Sequence, residues 1–399
     1  MKFCAVICEY NPFHNGHLYQ LNKIREESGC DKILCLMSGN FTQRGEAALF
    51  SKYERARQAI ENGADVVLEL PTAFSVAPAE IFAEGAISLI ASIPSVSSLA
   101  FGCESGNKEQ FLQAARATLS ESKEFKALMK ENMKDGTSYV KARTDAALQL
   151  NSDIDEALLK NPNNILGVEY CRALLNQASS ISPLPIPRVG GGYADTSILS
   201  DFSSASALRG ALLMEKRPKK ALKRNLPKNV YEAVEEWKPC AFETAVLTAL
   251  LTTPASAVAE CTDCSEGLEN RLQAMTRSNP EYSAMLKKTV SKRYTLSRLK
   301  RILCQNFLGL KLKDVREYLS SPLYLNVLGV EKTEGESLLA ELAQSSLPLL
   351  VRKSDTLPLK KSAQECFEKD AQANDIYNVL TGSTYHEYET LFVDRPAKK

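Results

Sequence analysis

Over the first hundred residues, short apolar runs alternate with amphipathic stretches. KFCAVIC (2–8), KILCLMSG (32–39), ADVVLELP (64–71) and VSSLAFGC (96–103) are rich in Val, Ile, Leu and Cys, the pattern of strands buried in a sheet. Between them, residues 16–28 place Leu18, Leu21 and Ile24 on one helical stripe. SKYERARQAIENGA (51–64) reads as a helix with Ser51 as N-cap and Gly63 as stop, and another helix is expected over 79–92. This alternation predicts a Rossmann-like α/β fold with a parallel sheet, whose ligands gather outside the carboxyl ends of the strands. The segments at those ends, EYNPFHNGH, SGNFTQRGE, ELPTAF and FGCES, are polar and marked by glycine or proline, as a shared site requires.

Past residue 105 the pattern turns helical. Residues 106–178 read as mostly helical, interrupted by KNPNNILGVEY (160–170). The Pro/Gly-rich ISPLPIPRVGGGYAD (181–195) returns the chain to the sheet, and SSASALRGALLM (203–214) opens a helix behind serine caps. Helices are then expected over 229–255, 265–277, 295–310, 312–319, 333–345 and 361–381, with no strand signal. The expected organisation is an α/β domain over 1–215 followed by a mainly α-helical domain over 216–399.

Charge sharpens that division. The near-neutral total hides 20 basic against 24 acidic residues in 1–210, and 29 against 24 in 211–399. KRPKKALKRNLPK (216–228) and KKTVSKRYTLSRLKR (287–301) each hold seven basic residues and no acid. Such runs are either solvated helix faces or contacts for a nucleic-acid backbone, with Tyr294 available to stack on a base. The residues in question are Lys219, Lys220, Lys223, Arg224, Lys292, Arg293, Arg298 and Arg301.

No apolar run reaches membrane-span length, and the first is too short for a secretory core, so a cytoplasmic protein is expected. The eleven cysteines are scattered, and the one CxxC, Cys261 to Cys264, lacks a second ligand pair. They read as free thiols, and no protein metal site is expected.

Two of the three histidines, His14 and His17, flank Asn15-Gly16 where the first strand meets the first helix. A helix N-terminus offers free N–H groups to phosphate, Gly16 permits close approach, and imidazoles three positions apart can face the same anion. Taken alone, the pair reads equally as polar loop histidines serving as cap and packing.

His14-Asn15-Gly16-His17 resembles the HxGH signature of the nucleotidylyltransferase superfamily. Ser203-Ser204-Ala205-Ser206-Ala207-Leu208-Arg209 resembles its late (I/S)SxTxxR motif, with Ser206 in place of threonine. EYNPFHNGHLYQL (9–21), MSGNFTQRGEAALFSKYERA (37–56), GADVVLELP (63–71), FGCESG (101–106), NNILGVEY (163–170) and KRYTLSRLKR (292–301) together resemble the tRNA(Met) cytidine acetate ligase family over nearly the whole chain.

The resemblance implies an ATP-dependent ligase. Acetate and ATP would give acetyl-adenylate and pyrophosphate, and N4 of the wobble cytidine of elongator tRNA(Met) would take the acetyl group with release of AMP. It makes 1–215 the ATP-binding catalytic domain and 216–399 the tRNA-binding one. His14 and His17 become the catalytic residues. The ATP-binding segment is Ile7, Cys8, Glu9, Tyr10, Asn11, Pro12, Phe13, His14, Asn15, Gly16, His17, Leu18, Tyr19 and Gln20. Gly102, Asn163, Arg188, Ser206 and Arg209 are further ATP contacts, and Mg2+ would be held mainly by phosphates and water.

Several readings stay open at this level. Asn163 either meets the nucleotide or caps a helix starting at Ile165. Arg44 either faces the site or pairs with Glu46, and Asp65 and Glu69 either approach the acceptor or serve in ion pairs. The family pattern has a histidine after Tyr193, where Ala194 stands, so any role of such a histidine is in doubt. A small-molecule nucleotidylyltransferase of cofactor biosynthesis would carry the same HxGH loop, though not a basic helical half. A non-catalytic RNA-binding protein would not need both histidines, Arg188 and Arg209.

Overall fold

A computed structural model describes all residues except 121, 135, 136, 138, 190–201, 266, 292 and 397–399. Tyr193, Ala194 and Lys292 therefore lie outside the described residues.

The expected strands form β1 (Phe3–Cys8), β2 (Lys32–Ser38), β3 (Val66–Leu70) and β4 (Val96–Cys103), and the Pro-rich return forms β5 (Ser182–Pro187). All pair in parallel, in the order β5-β4-β1-β2-β3. This is Rossmann order, with its reversal between β1 and β4, where the crevice at the carboxyl ends takes ligands. Helices Asn15–Glu27, Lys52–Glu61 and Ala79–Ala91 occupy the expected stretches. Ser51 caps the second by accepting from the Glu54 amide at 3.2 Å.

The second half departs from expectation. Its helices include Lys219–Asn225, Leu296–Leu308 and Lys361–Thr381, but it also supplies β6 (Leu325–Glu331), β7 (Leu349–Leu350) and β8 (Leu391–Val393). β6 lies antiparallel to β3, while β7 and β8 pair in parallel with β6. The chain thus returns to cover the β3 edge, which would otherwise present unpaired backbone groups. Apolar clusters fill both faces: Phe3, Leu34, Leu68 and Leu99 on one, Val6, Cys35, Val67 and Leu328 on the other.

Buried charges join the halves. Lys52, 1% exposed, reaches Glu69 (2.7 and 2.9 Å) and Glu387 (2.6 and 2.8 Å), and Asn326 of β6 donates to Glu69 at 2.8 Å. Burial pushes the Glu69 carboxyl up to about 8 despite the ammonium beside it, and the two carboxylates hold Lys52 well above the usual lysine range against burial. Asp65 pairs with Arg25 and, at 2.8 Å, with Arg395, and it accepts from the Ile33 amide. Asp65 is therefore an ion-pair partner, and Glu69 is a buried carboxyl held against Lys52.

Candidate active site

A cavity of about 200 Å³ opens at the carboxyl ends of β1 and β4, the reversal point of the sheet. Ile7 to Asn11, His14, His17 and Gln20 line it from the first loop and helix, with Phe101, Gly102 and Arg188 from β4 and the end of β5. Gln43, Arg44, Phe82, Asn163, Leu166, Tyr170, Ser204, Ala205, Ser206 and Arg209 complete the wall. A smaller cavity of about 50 Å³ shares His14, His17, Gln20, Gly102 and Arg188, and adds Gly16, Tyr19 and Phe202. Four members of the predicted ATP segment line neither cavity. Pro12 and Phe13 lie within the loop, Phe13 fully buried against Tyr10 and His17, and Asn15 and Leu18 belong to the helix behind it.

The loop is built to aim the histidines. Tyr10 takes φ +48°, a region that costs a non-glycine residue about 1–3 kcal/mol, and its buried ring packs 4.8 Å from both Phe13 and His17. His14 is the N-cap of helix Asn15–Glu27: its Nδ1 accepts from the Gly16 amide at 3.0 Å, and His17 Nδ1 accepts from the His14 amide at 3.3 Å. The rings stack with centroids 3.7 Å apart. A Cβ on Gly16 would lie 2.8 Å from His14 Cε1, so the glycine makes room for the ring.

Burial, with Arg188 and Arg209 behind it, pulls the His14 pKa down to about 3. Burial and the neighbouring His14 and Arg188 hold His17 well below the usual histidine range. Both rings are neutral at pH 7. With each Nδ1 already an acceptor, the proton sits on Nε2, so each ring offers one N–H donor.

Three guanidinium groups share the cavity. Arg209 donates from Nη1 to the Asn11 carbonyl at 2.9 Å and from Nη2 to Ser206 Oγ at 3.3 Å, and Nη2 pairs with Glu46 at 3.3 Å. Arg44 Nη1 donates to the same Ser206 Oγ at 3.0 Å. It therefore faces the site, and burial together with Arg209 lowers its pKa. Arg188 stands at the rim with its amide on the Cys103 carbonyl at 2.9 Å, extending the β4–β5 ladder. Gly102 faces the Arg188 stem and Gln20 at ordinary contact distances, so protein packing alone does not demand a glycine there. Asn163 lines the cavity while its Nδ2 donates to Glu104 at 2.6 Å. Its helix starts at Pro162 and not at Ile165, and Glu104 receives the Asn163 and Asn164 amides, so the capping falls to Glu104.

A family model described as HIGH Nucleotidyl Transferase matches residues 1–390. A Clostridium novyi protein, tRNA(Met) cytidine acetate ligase, is 35% identical, with 99% of each chain covered. The chain belongs to this ligase family. A Clostridium acetobutylicum member is 36% identical over 88% of this chain and 90% of its own. Crystal structures of Thermotoga maritima TmcAL agree. The apo form has a TM-score of 0.91 at 31% identity, covering 98% of this chain and 100% of that one. The form bound with alpha-thio ATP has a TM-score of 0.87 at 31% identity, with 96% of each covered.

For a ligase of this family the placement of the basic segments matters. Lys219, Lys220, Lys223 and Arg224 are exposed on helix Lys219–Asn225, and the Arg224 carbonyl accepts from Asn15 Nδ2 at 2.8 Å, directly behind the histidine loop. The second run meets the site from the other side. Lys300 pairs with Glu46 at 2.6 Å, and Gly45 (φ +71°) lies so close to the Lys300 backbone that a Cβ would come within 2.4 Å.

Within that run, Arg293 is exposed, but Arg298 is bonded to the Asp263 carbonyl and Ser265, and Arg301 turns inward to Asp263 at 3.2 Å. Tyr294, expected as a stacking platform, is buried at 8% exposure, because the segment folds its ring into the core and lays Arg298 over it.

Gln43, Phe82, Leu166 and Tyr170 escaped the sequence reading, although Gln43, Leu166 and Tyr170 fall inside quoted motif segments. Arg55, in the same quoted segment as Gln43, gave no sign of its role. Fully buried, it donates to the carbonyls of Phe50, Glu9, Ser38 and Gly39, pinning the ends of β1 and β2. Among the described residues no three His, Cys, Asp or Glu side chains cluster to hold a metal ion, and no helix is long and apolar enough to cross a membrane. Among the described residues the donor set supplies no protein cage for Mg2+.

Proposed function

We propose that this protein is an ATP-using ligase of tRNA(Met) modification that activates acetate as its adenylate. It then acetylates N4 of the wobble cytidine of elongator tRNA(Met) in the cytoplasm. The observation that carries the reading is one cavity at the sheet's reversal point, holding two neutral histidines and three arginines, with both basic segments bonded to its loops.

Acetate oxygen attacks the α-phosphorus of ATP and pyrophosphate departs. The Nε2–H groups of His14 and His17 donate to the phosphate oxygens where charge builds, with no proton to gain or lose. Arg209 and Arg44, tied through Ser206, present planar forks to the leaving pyrophosphate, and Arg188 closes the rim. Lys219, Lys220, Lys223, Arg224 and Arg293 supply the exposed positive charge for the tRNA backbone. The names of the relatives and the ATP analogue in the Thermotoga structure favour the same reading.

ATP–pyrophosphate exchange tests it. Exchange should require acetate and collapse in His17→Ala, and labelled acetate should reach tRNA(Met) and no other tRNA. Exchange indifferent to acetate would overturn the ligase reading in favour of a small-molecule nucleotidylyltransferase.

A further inference from the structure

The cavity holds one group that the chemistry of phosphate binding does not use. Among the described residues lining it, Glu9 alone carries a carboxylate, set among both histidines, Arg44, Arg188 and Arg209. A fixed negative charge opposes a triphosphate, and more strongly as water is excluded. Yet Glu9 is firmly built in. Its carbonyl oxygen accepts from the buried Arg55 at 2.6 Å, and its Oε1 accepts the Gln43 amide at 2.7 Å. Oε2 bonds to no described residue. Among the described residues Glu9 belongs to no group of three His, Cys, Asp or Glu side chains placed to hold a metal ion. Beyond it the cavity wall turns apolar, with Phe82, Phe101, Leu166 and Tyr170.

A carboxylate fixed by its main chain and one oxygen, with the other oxygen free, suits a proton acceptor. The second half-reaction needs one, because an exocyclic aromatic amine that attacks an acyl carbon becomes strongly acidic as the bond forms. We infer that Glu9 is the general base of acyl transfer, a role resting on the ligase reading above. The N4 lone pair bonds to the acyl carbon, the bond from that carbon to the adenylate oxygen breaks, and AMP leaves with the electron pair. One N4 proton passes to Glu9 Oε2 and from there to water. The first half-reaction moves no proton from its nucleophile, since acetate is already a carboxylate, and so has no use for the group.

The two half-reactions therefore separate in Glu9→Gln, which keeps the shape and an acceptor for the Gln43 amide. Acetate-dependent ATP–pyrophosphate exchange should change far less than acyl transfer does. Transfer from labelled acetate to an unmodified tRNA(Met) transcript should fall about a hundredfold or more. Hydroxylamine, which needs no base, should intercept the adenylate as acetohydroxamate in both proteins, in step with the exchange rate of each. Glu9→Asp, with its carboxylate drawn back by one methylene, should retain measurable transfer and serves if the glutamine variant folds poorly. Unimpaired transfer in Glu9→Gln overturns the inference, as does equal loss of exchange and transfer, which would make Glu9 part of ATP binding. Absence of acetate-dependent exchange in the wild type is a different result, and it would sink the ligase reading itself.

Discussion

Lys52→Met tests how the two halves are held. In the native protein Lys52 faces two buried carboxyl groups, and Glu69, raised to about 8, already holds a proton at pH 7. Without the ammonium the pocket must take up one further proton. Protonating a carboxyl of ordinary pKa near 4.3 at pH 7 costs about 3–4 kcal/mol at 1.36 kcal/mol per unit. That agrees with the ~3–5 kcal/mol typical of breaking a buried ion pair. At pH 5 the same step costs about 1 kcal/mol.

Guanidinium unfolding of wild type and variant at both pH values reads the difference. The destabilisation should be large at pH 7 and mostly gone at pH 5, and Glu387→Gln added to Lys52→Met should restore much of it. A loss equal at the two pH values would refute the reasoning, since it would then stem from packing and not charge. Wild-type stability carries the Glu69 contribution in the same sense. Between pH 4.5 and 8 the folded chain holds a proton that the unfolded chain releases, so this contribution falls as pH rises through that window.

Three further outcomes follow from the site. Gly16→Ala drives a methyl against His14 Cε1, and displacing that ring should cut exchange about a hundredfold with little change in thermal unfolding. The depressed His14 pKa means that the unfolded chain binds a proton the native chain refuses between pH 3 and 6.5. Stability from this group is present above pH 6.5 and is lost as pH falls through the window, so His14→Asn should flatten the acid limb of the stability curve. In Arg209→Lys a single ammonium cannot hold Asn11, Ser206 and phosphate together. The KM for ATP in exchange should rise about tenfold, and an unchanged KM would remove Arg209 from the phosphate site.

The parallel core and its site were legible because their signals are local. Four apolar runs fixed the strands, and a histidine pair at a strand-to-helix junction needs no distant partner to be noticed. The missed features depend on what lies opposite. LNVLGVE is a short apolar run that the sequence reading does not assign to a strand, and nothing in it says that it joins a strand some 260 residues earlier, or that Asn326 meets Glu69 there. Lys52 and Arg55 read as ordinary charges on an amphipathic helix, whereas both are buried. Arg298, Arg301 and Tyr294 err in the opposite direction: a basic run looks solvated until its arginines find the Asp263 loop.

The antiparallel β6 also sets an order of assembly during synthesis. While the first 320 residues emerge from the ribosome, β3 has a bare edge, and Lys52 and Glu69 wait for Glu387. Gly45 and Glu46 likewise lack the helix that positions them until residue 300 is made. A nascent chain therefore carries its histidine loop long before the arginines around it are locked. The cavity is complete only after the strand and helices of the second half have joined the sheet.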